Sequence, residues 1–240
     1  MLGKIIFVIF KIKKNMKVTF ISDTHTKENT LNLCGGDILV FSGDCMSSGF
    51  SIFELFKFIE WFKEQNYTYK IFVAGNHDRT CEMLPEKYIK PIFDLYYDNG
   101  VRYIKDELIN VDGISIYGTP YQPYFYGWAF NVSDSEKLTN IYKNIPEGVD
   151  ILITHCPPYD ILDKSHLPRE KNGKTGEEPL GSTELLNVLT EMENPPKYHC
   201  FGHIHGDGGK VEKNGETTYI NASVCDEQYE PVNKVITLDI

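Results

Sequence analysis

No two cysteines of this chain form a C-x-x-C pair. Cys34, Cys45, Cys81, Cys156, Cys200 and Cys225 are instead spread across its 240 residues. That spacing excludes a disulfide scaffold and a structural zinc ribbon, and it predicts free thiols in a reducing, cytoplasmic setting. Long apolar runs are missing too. Ile5 to Phe10, between Lys4 and Lys11, falls far short of the ~20 residues of a membrane span. No small-residue cleavage site follows it, so neither a secretory leader nor a membrane partner is expected. Arginine is scarce, and acidic residues outnumber basic ones, 34 to 24. The formal net charge is −10, and Arg79, Arg102 and Arg169 are the only arginines. A partner as anionic as long nucleic acid needs a basic surface, so none is expected. Repeats and low-complexity segments are also absent.

What remains is a globular composition, 41% hydrophobic and 24% charged, long enough for a sizeable core. Met16 opens a clear strand, so residues 16–240 read as the functional domain. Residues 1–15 read as an extension: an extra edge strand, a weak anchor, or the product of an upstream start. Strands are predicted at 16–21, 37–41, 70–73, 150–153 and 198–201. Their unbroken apolar runs suit strands buried on both faces. Helices are predicted at 51–65, 85–99, 133–143 and 182–193. Ser51 with Glu54, and Ser133 with Glu136, have the spacing of capping boxes. Asn214-Gly215 marks a hairpin between 210–213 and 216–221, and 235–239 is a last strand. Strands alternating with helices, then late hairpins, predict an α/β fold of two packed mixed sheets with helices outside.

Each of the five main strands runs into polar residues. They are Ser22-Asp23-Thr24-His25, Ser42-Gly43-Asp44, Gly75-Asn76-His77-Asp78, Thr154-His155 and Gly202-His203-Ile204-His205. In α/β sheets, sites form at the carboxyl ends of strands. Five of the seven histidines fall in these clusters, which is more than caps or isolated polar groups require. Carboxylate, amide and imidazole together suit first-row divalent metals. Strand residues i and i+2 share a face, so Asp23 and His25 point the same way and can reach one cation, and His203 with His205 repeats that geometry on another strand. Gly43, Gly75 and Gly202 stand before ligand-type residues, where the backbone must pass close to them.

The order D-x-H, G-D, G-N-H-[DE], H, G-H-x-H resembles the calcineurin-like metallophosphoesterase superfamily, over most of the chain from residue 16 onward. Gly118-Thr119-Pro120-Tyr121-Gln122-Pro123, Phe125-Tyr126-x-Trp128-x-Phe130-Asn131 and Tyr219-Ile220-Asn221-Ala222-Ser223 narrow the resemblance. They are similar to the metallophosphoesterase-domain-containing subfamily of brain and adrenal type. The resemblance implies a four-layer α-β-β-α sandwich holding two divalent metals. Manganese is favoured, with iron, zinc, nickel or magnesium as alternatives. Asp23, His25 and His205 would bind one ion, Asn76, His155 and His203 the other, and Asp44 both. His77 would act as the outer-sphere acid or transition-state stabiliser, with Asp78 orienting it. The implied activity is hydrolysis of small phosphodiesters, cyclic nucleotides included, through a metal-bridging hydroxide. The alternatives are a nuclease or phosphomonoesterase of the same superfamily, or a non-catalytic scaffold. The scaffold is disfavoured because every ligand position is kept.

Two absences favour a diester. The stretch Gly43-Asp44-Cys45-Met46-Ser47-Ser48-Gly49 has neither the arginine that grips a monoester dianion in protein phosphatases nor the tyrosine of purple acid phosphatases. Around this set, Arg79 could contact substrate phosphate or form a structural salt bridge. Tyr121 and Phe125 could stack on a substrate ring or belong to the core. The polar stretch 160–181, with His166 and Arg169, reads as a mobile loop after the His155 motif, which could close over substrate or simply be exposed.

Overall fold

The structure, a computed structural model, describes residues 15–166 and 179–240. In its first half β1 (Lys17–Ile21), β2 (Gly36–Phe41), α1 (Ile52–Lys63), β3 (Tyr67–Phe72), α2 (Arg79–Met83), α3 (Glu86–Asp94) and β4 (Val101–Tyr103) follow one another. Next come β5 (Glu107–Val111), β6 (Ile114–Thr119), the two-residue strands β7 (Gln122–Pro123) and β8 (Asn131–Val132), and α4 (Ser135–Tyr142). The chain ends with β9 (Ile151–Thr154), α5 (Thr183–Glu191), β10 (Tyr198–Phe201), β11 (Lys210–Asn214), β12 (Thr217–Asn221) and β13 (Ile236–Asp239).

Two sheets carry the fold, ordered β13-β1-β2-β3-β4 and β11-β12-β10-β9-β6-β5. In the first sheet β1 to β4 are parallel and β13 is an antiparallel edge. In the second, β6, β9, β10 and β12 are parallel, with β5 and β11 antiparallel at the edges. Alternation along the strands sorts side chains into layers. Val18, Phe20, Ile38, Val40, Ile71, Ile116, Ile151, Ile153 and Ile220 fill the space between the sheets. Ile21, Leu39, Phe41 and Phe72 face the other way, onto Leu55, Phe58 and Phe62 of α1 and Phe93 of α3. Tyr117, Leu152 and Phe201 meet Leu138 and Tyr142 of α4 and Leu185, Val188 and Leu189 of α5. This is the α-β-β-α sandwich expected from the sequence.

The differences are local. Glu54 does not close a capping box on Ser51, whose side chain makes no cap bond. Its Oε2 instead accepts from the backbone N–H of Ser47 at 2.9 Å. The cap of α4 is Asp134, which accepts from the Lys137 N–H, and not Ser133. The stretch 85–99 is not one helix: α3 ends at Asp94, a 3₁₀ turn follows at Tyr97–Asn99, and Gly100 closes it at φ 83°. The hairpin of β5 and β6 was not predicted, although Asp112-Gly113 supplies its turn with φ 51° and 91°. Residues 1–14, which hold almost all of the proposed extension, and 167–178, including Arg169, lie outside the described residues. Among the described residues no helix is long and apolar enough to cross a membrane. All six cysteines are unpaired.

Buried His199 gives this framework a pH dependence of its own. Its Nε2 lies 2.9 Å from Thr154 Oγ1, and burial lowers its pKa to about 3. Below the ordinary value near 6.5, the unfolded chain binds a proton that the folded chain refuses. This residue therefore removes stability as pH falls from about 6.5 toward 3, by about 1.4 kcal/mol per pH unit. Denaturant unfolding of chelator-treated protein at pH 7.5 and 5.5 checks this. His199→Gln should flatten the difference by roughly 1 kcal/mol, and an unchanged difference would contradict the assignment.

Candidate metal centre

The carboxyl ends of β1, β2, β3, β9 and β10 bring the sequence-predicted residues together. The loops after β1 and β2 stay zipped beyond the strands: Asp23 N–H donates to Gly43 O, His25 N–H to Asp44 O and Thr26 N–H to Cys45 O. Convergence does not come from the strand pleat, as the i, i+2 argument expected. β1 ends at Ile21, and Asp23, His25 and Asp44 sit in the left-handed region at φ 54°, 42° and 64°. β10 likewise ends at Phe201, and His203 has φ 66°. Left-handed non-glycine residues are strained and persist where surrounding contacts over-determine them. His203 and His205 consequently point into different groups.

Three overlapping triads result: Asp23, His25 and His205; His25, Asp44 and His77; and Asp44, His155 and His203. Within each, the ligand-type atoms lie within 4.8 Å of one another. Nε2 of His25 and of His205 are 3.3 Å apart, and His205 Nε2 is 3.4 Å from Asp23 Oδ1. His155 Nε2 lies 3.3 Å from Asp44 Oδ2 and 2.8 Å from Asn76 Oδ1. Each of these imidazoles turns its Nδ1–H away, onto a backbone carbonyl: His25 to Met46, His155 to Ser42 and His205 to Asp226. Such bonds fix the ring and aim Nε2 inward, as metal-binding histidines require.

Electrostatics agree with this donor set. Burial works to raise both Asp23 and Asp44, but the neighbouring imidazoles outweigh it. Asp23 is held at about 2, and Asp44 falls well below the usual carboxylate range. Burial brings His25 down to about 4 and His203 to about 3, so both offer a neutral lone pair at physiological pH. Burial opposes charge on His155 as well, yet Asp44 beside it raises it to about 9. A divalent cation arriving there would displace that proton.

Close approach explains the glycines. A Cβ at Gly202 would lie 2.0 Å from Asp23 Oδ2 and 2.2 Å from Ser22 Oγ, and one at Gly75 would lie 2.3 Å from Asp44 Oδ1. Gly202→Ala is therefore expected to displace Asp23. Affinity for a divalent metal should fall by at least about tenfold, with about 1–3 kcal/mol of destabilisation from overpacking. Metal titration and thermal unfolding check both effects, and an alanine variant with native affinity would show that the gap is not needed.

Asp78 does not orient His77, as the resemblance implied. Its buried carboxylate accepts the backbone N–H groups of Asp44, Cys45, Met46 and Gly75, and the Cys45 thiol. Asp78 thus ties the Asp44 loop to the loop after β3. Burial, and then the charge of Asp44, raise its pKa to about 6. His77 is oriented by the Ser47 carbonyl, which accepts from Nδ1, while Glu54 holds the Ser47 N–H. The His77 N–H donates to Asp44 Oδ1 at 2.7 Å, and its Nε2 lies 4.0 Å from Asp44 Oδ2.

The triads open on a cavity of about 310 Å³ whose wall adds Phe125, Ser165, Leu180, Glu227 and Tyr229. Phe125, exposed, meets the His203 ring edge-on. Tyr229 stands against His25 and His205. The described residues lining the cavity do not include Arg79 or Tyr121. The Arg79 guanidinium lies over Phe50 and Trp128, and Tyr121 packs against Phe130. Trp128 and Ser47 were named only within motifs, and Glu227 and Tyr229 not at all; none was given a site role, since their places depend on contacts distant in sequence. Ser165 and Leu180 fall in the stretch read as a loop after the His155 motif, closing over substrate or simply exposed.

The profile of the calcineurin-like phosphoesterase family matches residues 16–207. The chain belongs to that family. Metallophosphoesterase domain-containing protein 1 of Homo sapiens and its Mus musculus counterpart are each 38% identical to it, over 92% of this chain and 69% of theirs. Among solved structures, the protein TT1561 of Thermus thermophilus is similar in fold. Its TM-score is 0.58 at 14% identity, covering 94% of this chain and 99% of that one. Membership makes this calcineurin-like phosphoesterase a metal-dependent hydrolase of phosphoesters, and the convergent carboxylates and imidazoles provide groups that can hold the metal.

Proposed function

We propose that the chain is a dinuclear phosphodiesterase that cleaves small phosphodiesters, cyclic nucleotides among them, in the cytoplasm. The observation that carries this reading is the run of three linked triads, with Asp44 shared by two of them. Asp23, His25 and His205 would hold one ion, Asn76, His155 and His203 the second, and Asp44 both. Oxygen and imidazole donors without thiolate suit manganese. Such a metal pair, when bound, supplies an acidified water and neutralises charge on the phosphoryl oxygens. Asp78 keeps the Asp44 loop in place through its backbone bonds. His77 presents Nε2 at the cavity wall and donates a proton to the leaving oxygen as its bond to phosphorus breaks.

The substrate class is supported by what surrounds the metals. Among the described residues lining the cavity there is no lysine or arginine. A diester carries one negative charge and needs no extra cation, whereas a monoester dianion is normally gripped by one. The size of the cavity suits a small molecule, and the net charge of −10 disfavours long nucleic acid.

A substrate panel on chelator-treated and manganese-supplied protein tests the proposal. Nitrophenyl diester and 2′,3′- or 3′,5′-cyclic nucleotides should be hydrolysed only with metal, nitrophenyl monoester far more slowly, and plasmid DNA left intact. Inertness toward every ester in both states would sink the catalytic reading.

A further inference from the structure

The aromatic segment after β6 places one ring against the proposed proton donor without lining the cavity. Trp128, half-buried, lies face to face with the His77 imidazole, their centroids 3.9 Å apart and planes inclined by 26°. The Arg79 guanidinium covers the same indole at 4.5 Å from its centroid and Phe50 at 4.7 Å. Contacts therefore lead from His77 through Trp128 and the Arg79 guanidinium to Phe50, which is exposed. The backbone beside Trp128 is fastened to the loop that carries His77. The Ala129 N–H donates to Asn76 O at 3.1 Å, and the Phe130 N–H to Glu82 Oε1 at 2.7 Å.

His77 has a single ring hydrogen bond among the described residues, from Nδ1 to the Ser47 carbonyl. An imidazole held at one corner can still pivot about that bond. A flat aromatic surface against its face removes the pivot, and offset stacking of this kind is favourable in itself. We infer that Trp128 is a positioning residue for His77, holding the imidazole so that Nε2 stays on the Asp44 side of the cavity. The Arg79 guanidinium, which also lies over Phe50, covers the indole in turn. Arg79 thereby acts through Trp128 and not on substrate phosphate. This inference rests on His77 being the proton donor.

Leaving-group dependence separates a proton-transfer role from general damage. A nitrophenolate departs without protonation, whereas a ribose alkoxide needs the proton. Trp128→Ala, assayed with manganese, should lose on the order of 10–100-fold in kcat on 2′,3′-cyclic AMP, the size expected of a misplaced catalytic group. It should change by less than about threefold on bis(4-nitrophenyl) phosphate, with the manganese activation constant unaltered. Trp128→Phe, which keeps a flat ring, should recover most of the loss. In chelator-treated protein, NMR should show the His77 ring protons displaced upfield by the indole ring current, and displaced no longer in Trp128→Ala. Equal losses on both substrates, or undiminished cyclic AMP hydrolysis by a folded Trp128→Ala, would overturn the inference. His77→Ala is the control. If it shows no leaving-group dependence, the proton-donor reading itself fails. If it shows the dependence and Trp128→Ala does not, only the positioning role fails.

Discussion

Asp44→Asn should cost the protein most of its manganese binding while leaving the fold in place. Asparagine keeps the size of the side chain and can still accept the His77 N–H now bound at 2.7 Å. It loses the negative charge that holds His155, 3.3 Å away, protonated in the metal-free protein. Asp44 is the one carboxylate shared by two of the triads, so its charge faces both proposed ions. Loss of an outer partner of a metal ligand typically lowers affinity ~10–100-fold, and loss of a shared ligand should exceed that. Calorimetric titration with manganese, beside circular dichroism of the metal-free protein, measures the two effects separately. Native affinity in a folded Asp44→Asn would remove Asp44 from the site.

The second large effect is expected from His77→Ala, and it has the opposite signature. Metal binding should survive, while turnover of diesters with alkoxide leaving groups falls by about 10²–10⁴-fold, the usual worth of a positioned general acid. His77 lies in a triad with His25 and Asp44, so a direct ligand role is the competing possibility. Its geometry favours the acid: Nε2 stands 4.0 Å from Asp44 Oδ2, farther than the 3.3 Å of His155. Its Nδ1 is held by the Ser47 carbonyl. Equilibrium titration decides between the roles. Manganese affinity within a few-fold of wild type supports the acid, and a collapse in affinity would make His77 a ligand.

Much of this arrangement was legible in one dimension because it depends on local pattern. Strands buried on both faces read as apolar runs, and β10 was predicted at the residues where it lies. Each run ended where chemistry begins, so the nine candidate residues could be named without knowing how they meet. What was not legible depends on partners far along the chain. Glu54 has capping-box spacing, yet the Ser47 N–H, displayed by the loop after β2, takes its carboxylate. Asp78 follows His77 directly, but four backbone N–H groups converge behind it and draw its carboxylate away from the ring. The pairs Asp23 with His25 and His203 with His205 were read as pleated strand. The strands stop short, and left-handed loops send the last two histidines into separate triads. Tyr229 reached the centre from a loop with no sequence signal of its own. Its left-handed backbone, φ 63°, is held by a turn in which its N–H donates to the Asp226 carbonyl.

Anomalous diffraction from crystals grown with manganese tests the central claim most directly. Two peaks should appear about 3.5–4 Å apart, the usual spacing of such pairs. One should lie within bonding reach of Asp23, His25 and His205, the other of Asn76, His155 and His203, with Asp44 touching both. A single peak, or peaks away from these side chains, would contradict the account.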